Sequence, residues 1–516
     1  MIVRVDWSSP IQMIRMVRRA LMLALVATLA GCASAVPPGA SQGAAPTRDP
    51  RGALRQFLDT LVDAPEFRSA QWGILVVDPA RAETLYARNA DKLFMPASNM
   101  KLLTGTTALV QLGAKYRWST SMSSRGTVRD GVLLGDLAVH GNGDPSLSVH
   151  MQKGDALAPM RAMADSLRAH GITRVRGRLL AAPSPFTDSP LGYGWSWSDL
   201  DDSYSAGVDA LYFNEGFTEV VVHGGARAGD PVRATTRPAS TYPALIVNAR
   251  TVATPARGAS AKDSAAIGIA VSQDSSRSGV LVDGSIAAGD STVVEITFRR
   301  QTEAYLAALK EAMTARGIVI EASSGEASGE ARPIFTMLSP TLGEVLPFFE
   351  KPSQNQIGEI LFKTLALEKT GVGRADSAAH VVERQMIAWG AAPDGFAVHD
   401  GSGLSRHDYV SPRTLVQVLS AIRLNPDFKL FYDALPIAGV DGTIRNRMKG
   451  TAAEGNVHAK TGTLDKARSL SGYVTTADGR LLIISALCNN YVTPTRRVDR
   501  VTDALGAYLA AMRMSP

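Results

Sequence analysis

The chain has 516 residues, 45% hydrophobic and 20% charged, with a mean hydropathy near zero. That describes a folded chain too long for one ordinary core, so roughly two to four domains are expected. The formal charge of +6 is modest, and Arg4, Arg15, Arg18 and Arg19 against Asp6 place +3 of it in the first 31 residues; the remaining +3 (6 − 3) gives no case for nucleic-acid binding.

At the start, Arg15, Arg18 and Arg19 precede an apolar run over residues 20–29 that is too short to span a bilayer. Residues 1–31 therefore read as an export signal of lipoprotein type. The run closes on Leu29-Ala30-Gly31-Cys32, which resembles the bacterial lipobox, whose cysteine is lipidated; a plain signal cut near Ala33 or Ala35 is the alternative. Residues 32–50, rich in Ala, Pro, Ser and Gly, read as a flexible tether. The expectation is an exported protein on the periplasmic side, anchored to the membrane through Cys32, in the outer membrane if the cell has one. With Cys32 acylated, Cys488 lacks a partner, and its place after the apolar run 481–487 makes it a buried structural thiol.

A helical pattern over 54–61 is followed by strand-like runs at 73–78 and 84–88, a hairpin leading into Met95-Pro96-Ala97-Ser98-Asn99-Met100-Lys101. Pro96 suits the approach to a helix. Met100, Leu103, Thr107 and Val110 then recur at three- and four-residue spacing, and Gly113 is placed to end a helix over 98–112. Ser98 and Lys101 thus stand one turn apart on one face, with Ser98 in the first turn, where unpaired N–H groups and the helix dipole favour negative charge. A hydroxyl there can be a nucleophile and the amine its base. About one Ser-x-x-Lys is expected by chance in a chain of this composition, so the pair needs partners elsewhere.

Beyond Gly113, short β-favouring runs at 133–139, 174–180, 219–222, 244–247, 267–271 and 293–298 make residues 116–332 a β-rich insertion, with 322–332 as its exit linker. Helices return at Ser339-Pro340, read as a capped start, and at Ser411-Pro412 ahead of 414–422. Strands follow at 455–459, 469–475 and 480–487, and a last helix at 495–512. A hairpin in front, strands behind and helices between predict an α+β fold: one antiparallel sheet built from residues 51–115 and 333–516, interrupted by the insertion.

Two further motifs bear on Ser98. Ser353-Gln354-Asn355 is the only Ser-x-Asn and supplies a second hydroxyl and an amide, although Ser353 also fits a helix cap. Lys-Thr-Gly occurs twice. Lys369-Thr370-Gly371 ends a helical pattern, whereas Lys460-Thr461-Gly462-Thr463 lies in strand-like sequence, where an edge can present a cation and backbone N–H groups to a peptide.

Ser-x-x-Lys, Ser-x-Asn and Lys-Thr-Gly in that order resemble the penicillin-recognising serine acyl transferases. The resemblance narrows to the D-alanyl-D-alanine carboxypeptidase/endopeptidase family, the class C low-molecular-mass penicillin-binding proteins. The stretches Gly141-Asn142-Gly143-Asp144-Pro145-Ser146-Leu147, Trp195-Ser196-Trp197-Ser198-Asp199-Leu200, Asp400 to Arg406 and Leu435 to Thr443 carry it, together with the long gap between Ser98 and Ser353. It implies a β-lactamase/transpeptidase-like fold, with helices on both faces of the sheet. It also implies hydrolysis of peptidoglycan stem peptides and cross-links through a Ser98 acyl-enzyme, with β-lactams as inhibitors.

Under that resemblance Lys101 is the base, its pKa lowered by Lys460 and partial burial, and Ser353 relays a proton to the leaving amine. Asn355 holds Lys101 and the substrate amide. Lys460, with Thr461 or Thr463 beside Gly462, takes the terminal carboxylate, and the N–H groups of Ser98 and Thr463 form the oxyanion hole. Arg406 matches an arginine of the diamino-acid pocket. The acidic partner expected just before Phe186 is replaced by Ala181-Ala182, and Asp465 is placed at the rim.

Competing sites are weaker. Gly39-Ala40-Ser41-Gln42-Gly43 fits a nucleophile elbow but lies in the tether, and the eight His are scattered, with no His-x-x-x-His pair, so neither metal nor cofactor is expected. A serine β-lactamase or esterase, and a non-catalytic wall-binding lipoprotein, are the other readings.

Overall fold

Strands from both ends of the chain meet in one antiparallel sheet. Gln71–Asp78 (β1) and Glu83–Arg88 (β2) pair as a hairpin, and His458–Leu464 (β3), Ala467–Thr475 (β4) and Leu481–Asn489 (β5) complete the order β2-β1-β5-β4-β3. This computed structural model describes residues 49–254, 267–274, 279–322 and 330–514. The export signal, most of the tether, Cys32 and the Gly39–Gly43 motif lie outside the described residues, as does most of the exit linker.

The sheet is sided by the alternation of its strands. Ile74, Val76, Leu470, Val474, Leu482 and Ile484 face the Pro50–Val62 and Thr495–Ala511 helices through Leu54, Leu58, Val498, Val501 and Leu505. On the opposite face Leu75, Tyr473, Ile483 and Leu487 pack on the helices Met100–Leu112, Leu342–Glu350, Asn355–Thr370, Ala375–Ala388 and Pro412–Ile422. Each fully buried Leu or Ile contributes about 1.5–3 kcal/mol, so the two-sided core outweighs any local preference of these strands. Among the described residues no helix is long and apolar enough to cross a membrane.

Two runs read as single strands each divide between two sheets. Val132–Leu134 and Arg174–Arg176 lie in the sheet that ends with Val319–Glu321. Leu137–Gly141 and Leu179–Ala181 lie in the sheet of Arg117–Ser124 and Arg332–Thr341. The two crossings touch: a Cβ on Gly177 would sit 2.2 Å from the Gly135 carbonyl oxygen, so glycine is required for the approach. Helices Ala158–Ala169 and Gln301–Ala315 cover these sheets through Met160, Met163, Leu167, Tyr305 and Leu309. The β-favouring reading of 116–332 did not anticipate them. From Asp49 onward all layers pack as one unit.

Three local expectations are corrected. Ser339-Pro340 does not start a helix: the strand runs Arg332–Thr341, the Ser339 hydroxyl accepts the Trp118 N–H at 2.9 Å, and Thr341 caps Leu342–Glu350 in a capping box with Glu344. Strand pairing uses the hydroxyl that a cap would have needed. The Ser98 helix opens with a 3₁₀ turn, Ala97–Asn99, before the α-helix Met100–Leu112, which ends at Gly113 with φ +84°. The strand expected at 455–459 starts at His458 and runs through Lys460-Thr461-Gly462 itself.

Candidate active site

The approach to Ser98 is tied down before the helix begins. The Pro96 carbonyl accepts the Ser469 hydroxyl of β4 at 2.7 Å, and Asn99 donates its side-chain N–H to the Lys460 carbonyl at 2.8 Å. β3 lies so close that a Cβ on Gly462 would meet the Pro96 carbonyl oxygen at 2.4 Å. The Lys-Thr-Gly strand and the Ser98 turn are therefore one rigid contact, and β3, the edge strand of the sheet, has no neighbouring strand on its outer side among the described residues; its first residues, His458 and Ala459, meet Ile437 and Pro436 there.

Lys101 is completely buried. Its Nζ lies 3.0 Å from Ser98 Oγ, 2.6 Å from Asn355 Oδ1 and 2.7 Å from the Ser402 carbonyl oxygen. Burial, then the charge of Lys460, hold its pKa well below the ordinary lysine value, against the opposing pull of Asp400, Glu350 and Glu359. Burial is complete, where the sequence suggested it was partial.

Ser353 stands in the turn between Leu342–Glu350 and Asn355–Thr370 with φ +65°, and Gln354, not Ser353, caps the second helix by accepting the Ile357 N–H. The Ser353 hydroxyl is left for Lys460, whose Nζ donates to it at 2.7 Å. Lys460 too is fully buried, and burial pushes its pKa down to about 8 in spite of Glu350. Ser98, Lys101, Ser353, Asn355 and Lys460 thus converge from two helix starts and an edge strand. Lys369-Thr370-Gly371 stays away, ending a helix at Gly371 with φ +79°.

Thr461 donates its hydroxyl to that of Thr443 at 2.7 Å, and Arg468 bonds the exposed Thr463 hydroxyl. Arg406 is half-buried on the loop that supplies the Ser402 carbonyl, and its backbone N–H meets Gly194 O at 3.4 Å. Ala181 and Ala182 instead follow the Leu179–Ala181 strand along Val139, so the segment around Gly194 is the one that borders Arg406. Asp465 sits exposed in the turn between β3 and β4. Cys488 is buried on β5, and burial raises its thiol pKa.

The structure adds groups that the motifs did not announce. Asp400 accepts backbone N–H groups from Ser402, Gly403 and Ser405 and the Trp195 indole N–H at 2.9 Å, which curls the loop so that the Ser402 carbonyl reaches Lys101. Glu359 accepts the Gly401 and Ser402 N–H groups from beneath. Lys351 pairs with Asp441 at 2.7 Å, joining the Ser353 turn to the segment that carries Thr443. The Tyr204 carbonyl accepts the Asn355 side-chain N–H at 2.7 Å, leaving Asn355 Oδ1 for Lys101.

A half-buried serine held by a buried lysine at a helix start, facing a second serine–lysine pair on a sheet edge, defines a serine hydrolase of the penicillin-recognising class. The chain belongs to the D-Ala-D-Ala carboxypeptidase 3 (S13) family, whose pattern it matches over residues 54–511, and it is a serine-type D-Ala-D-Ala carboxypeptidase/endopeptidase. It is 32% identical to the D-alanyl-D-alanine carboxypeptidase of Actinomadura sp. (strain R39) over 474 residues, 89% of this chain and 84% of that protein. It is 27% identical to the D-alanyl-D-alanine carboxypeptidase DacB of Haemophilus influenzae over 78% of this chain and 82% of that one. The crystal structure of penicillin binding protein 4 (dacB) from Haemophilus influenzae shares the fold, with TM-score 0.73 and 23% identity, covering 87% of this chain and 98% of that one.

Proposed function

We propose that Ser98 is the acylated nucleophile of a peptidase acting on peptidoglycan stem peptides and cross-links. The observation that carries the assignment is the bonding of Lys101. With the amine neutral, its two N–H groups go to Asn355 Oδ1 and the Ser402 carbonyl, and the lone pair is left facing the Ser98 hydroxyl. Lys101 takes the Ser98 proton as Oγ attacks the carbonyl of the penultimate D-alanine, and the N–H groups of Ser98 and Thr463 receive the developing oxyanion. Ser353, bonded to Lys460, passes a proton to the leaving amine as the C–N bond breaks and is made good by the proton that Lys101 took from Ser98, which leaves Lys101 neutral for the second half-reaction. Water then hydrolyses the ester, returning the proton through Lys101. Lys460, Thr461 and Thr463 take the terminal carboxylate, and Arg406 is offered to the diamino-acid side chain.

Residues 116–332 serve as an accessory insertion in a catalytic domain made of 51–115 and 333–516. We also propose export and lipidation at Cys32, supported by the arginines, the apolar run and the Leu-Ala-Gly-Cys ending. A Cys32→Ser variant that still partitions with membranes would refute the anchor.

The test of the nucleophile is intact-protein mass spectrometry after incubation with benzylpenicillin, wild type beside Ser98→Ala. A stable adduct of one drug mass, absent in the variant, is expected. Rapid drug loss without an adduct would indicate a β-lactamase instead, and neither adduct nor drug loss a non-catalytic wall-binding protein.

A further inference from the structure

Glu350 is a buried acid with no place in the mechanism above. It is the last residue of the Leu342–Glu350 helix, it is completely buried, and neither carboxylate oxygen has a hydrogen-bond partner. Such a group is costly to bury unless a charge answers it. Two features place it under the reacting groups. Its carbonyl accepts the Ser353 N–H at 3.2 Å, so it anchors the turn that presents Ser353 to Lys460. Its Oε1 lies against Gly105, where a Cβ would approach to 2.8 Å, and Gly105 is four residues beyond Lys101, on the same helix face. The missing side chain at Gly105 is the space the carboxylate occupies.

Resting on the lysine roles proposed above, we infer that Glu350 is a positioning residue: the buried counter-charge shared by Lys101 and Lys460, setting the pH range in which Lys460 is charged while Lys101 is neutral. Two buried ammonium groups with no anion would repel and both shed protons. One carboxylate balances one ammonium, and Lys101, held well below the ordinary lysine value by burial and then by the charge of Lys460, is the one that gives up its proton. Burial raises the Glu350 pKa against the pull of Lys460 and Lys101, and burial lowers that of Lys460 against the pull of Glu350, so carboxylate and ammonium each stay ionised only because the other does. The other titratable groups around the pair are Asp400 and Glu359, which face Lys101, with Asp408 and Lys363 one step further out; burial raises the pKa of Glu359 and of Asp408.

The experiment is the pH dependence, from 5.5 to 9.5, of the benzylpenicillin acylation rate of the full-length protein, wild type beside Glu350→Gln, Glu350→Asp and Gly105→Ala. In Glu350→Gln the alkaline limb should move at least one unit toward acid, giving about a five- to tenfold loss at pH 8 and a much smaller change at pH 6. Glu350→Asp should restore the wild-type shape, and Gly105→Ala, which displaces the carboxylate without removing it, should shift the limb in the same direction as Glu350→Gln. A Glu350→Gln profile that scales uniformly with pH overturns the inference, as does one identical to that of Glu350→Asp. If Glu350→Gln does not fold, the Gly105→Ala profile decides alone. A wild type that is not acylated at any pH would instead sink the assignment of Ser98 and the lysines.

Discussion

Gly462→Ala tests whether the contact between the Lys-Thr-Gly strand and the Ser98 turn sets the rate. The new Cβ would stand 2.1 Å from Ser469 Oγ and 2.4 Å from the Pro96 carbonyl oxygen, whereas ordinary contact begins near 3.4 Å. Ser469 cannot simply rotate away, because its hydroxyl is the partner of that same buried carbonyl at 2.7 Å. Losing the bond costs about 1–3 kcal/mol, and keeping it requires β3 to retreat by about 1 Å. Lys460 would retreat with β3, and a misplacement of about 1 Å is worth on the order of 100-fold in rate. No catalytic group is removed. The assay is the acylation rate with benzylpenicillin, followed by intact mass, beside the urea midpoint. A rate within about threefold of wild type would refute the account of this contact as the element that aligns the two lysines.

Lys101→Met should reduce acylation about 10²- to 10⁴-fold, the usual range for a positioned base, while the urea midpoint holds or rises because a buried amine is replaced by a thioether; equal loss of both would point to misfolding. Glu359, raised to about 8 mainly by burial, holds its proton in the folded state, so its stabilisation is present in full below the unfolded carboxyl pKa and lost as pH rises through about 8. Between pH 6 and 8 this amounts to roughly 2–3 kcal/mol at most, and Glu359→Gln should remove that slope; parallel urea curves for the two proteins across this range would contradict it. Trp195→Phe takes the indole N–H from Asp400 and should lower unfolding stability by about 1 kcal/mol, an unchanged urea midpoint being the refuting result.

Short-range order was legible along the chain. Ser98 and Lys101 share a face because helical spacing puts them there, and 73–78 and 480–487 are legible as strands because they are short, near-continuous apolar runs, as strands covered on both faces are. The Ala158–Ala169 helix was legible too, since Met160, Met163, Ala164 and Leu167 repeat at helical spacing; the surrounding β-favouring runs masked it. Leu133 to Val139 reads as one strand only if Gly135-Asp136 is passed over; that pair is where the chain changes sheets, with Gly177 approaching Gly135 at the crossing.

The order of the three motifs, the residue types of the acid–base groups and the family were in the amino-acid sequence by itself, because each rests on side-chain chemistry at fixed spacing. What only the tertiary structure decided is what those groups meet. The Ser402 and Tyr204 carbonyls carry no sequence signal, since every residue has one, yet they assign the hydrogen bonds of Lys101 and Asn355. Glu350 is an unremarked acid until its burial beside two lysines is seen. A charge acquires its energy from the dielectric and the partners around it, and those are contributed by segments some 100 to 360 residues away.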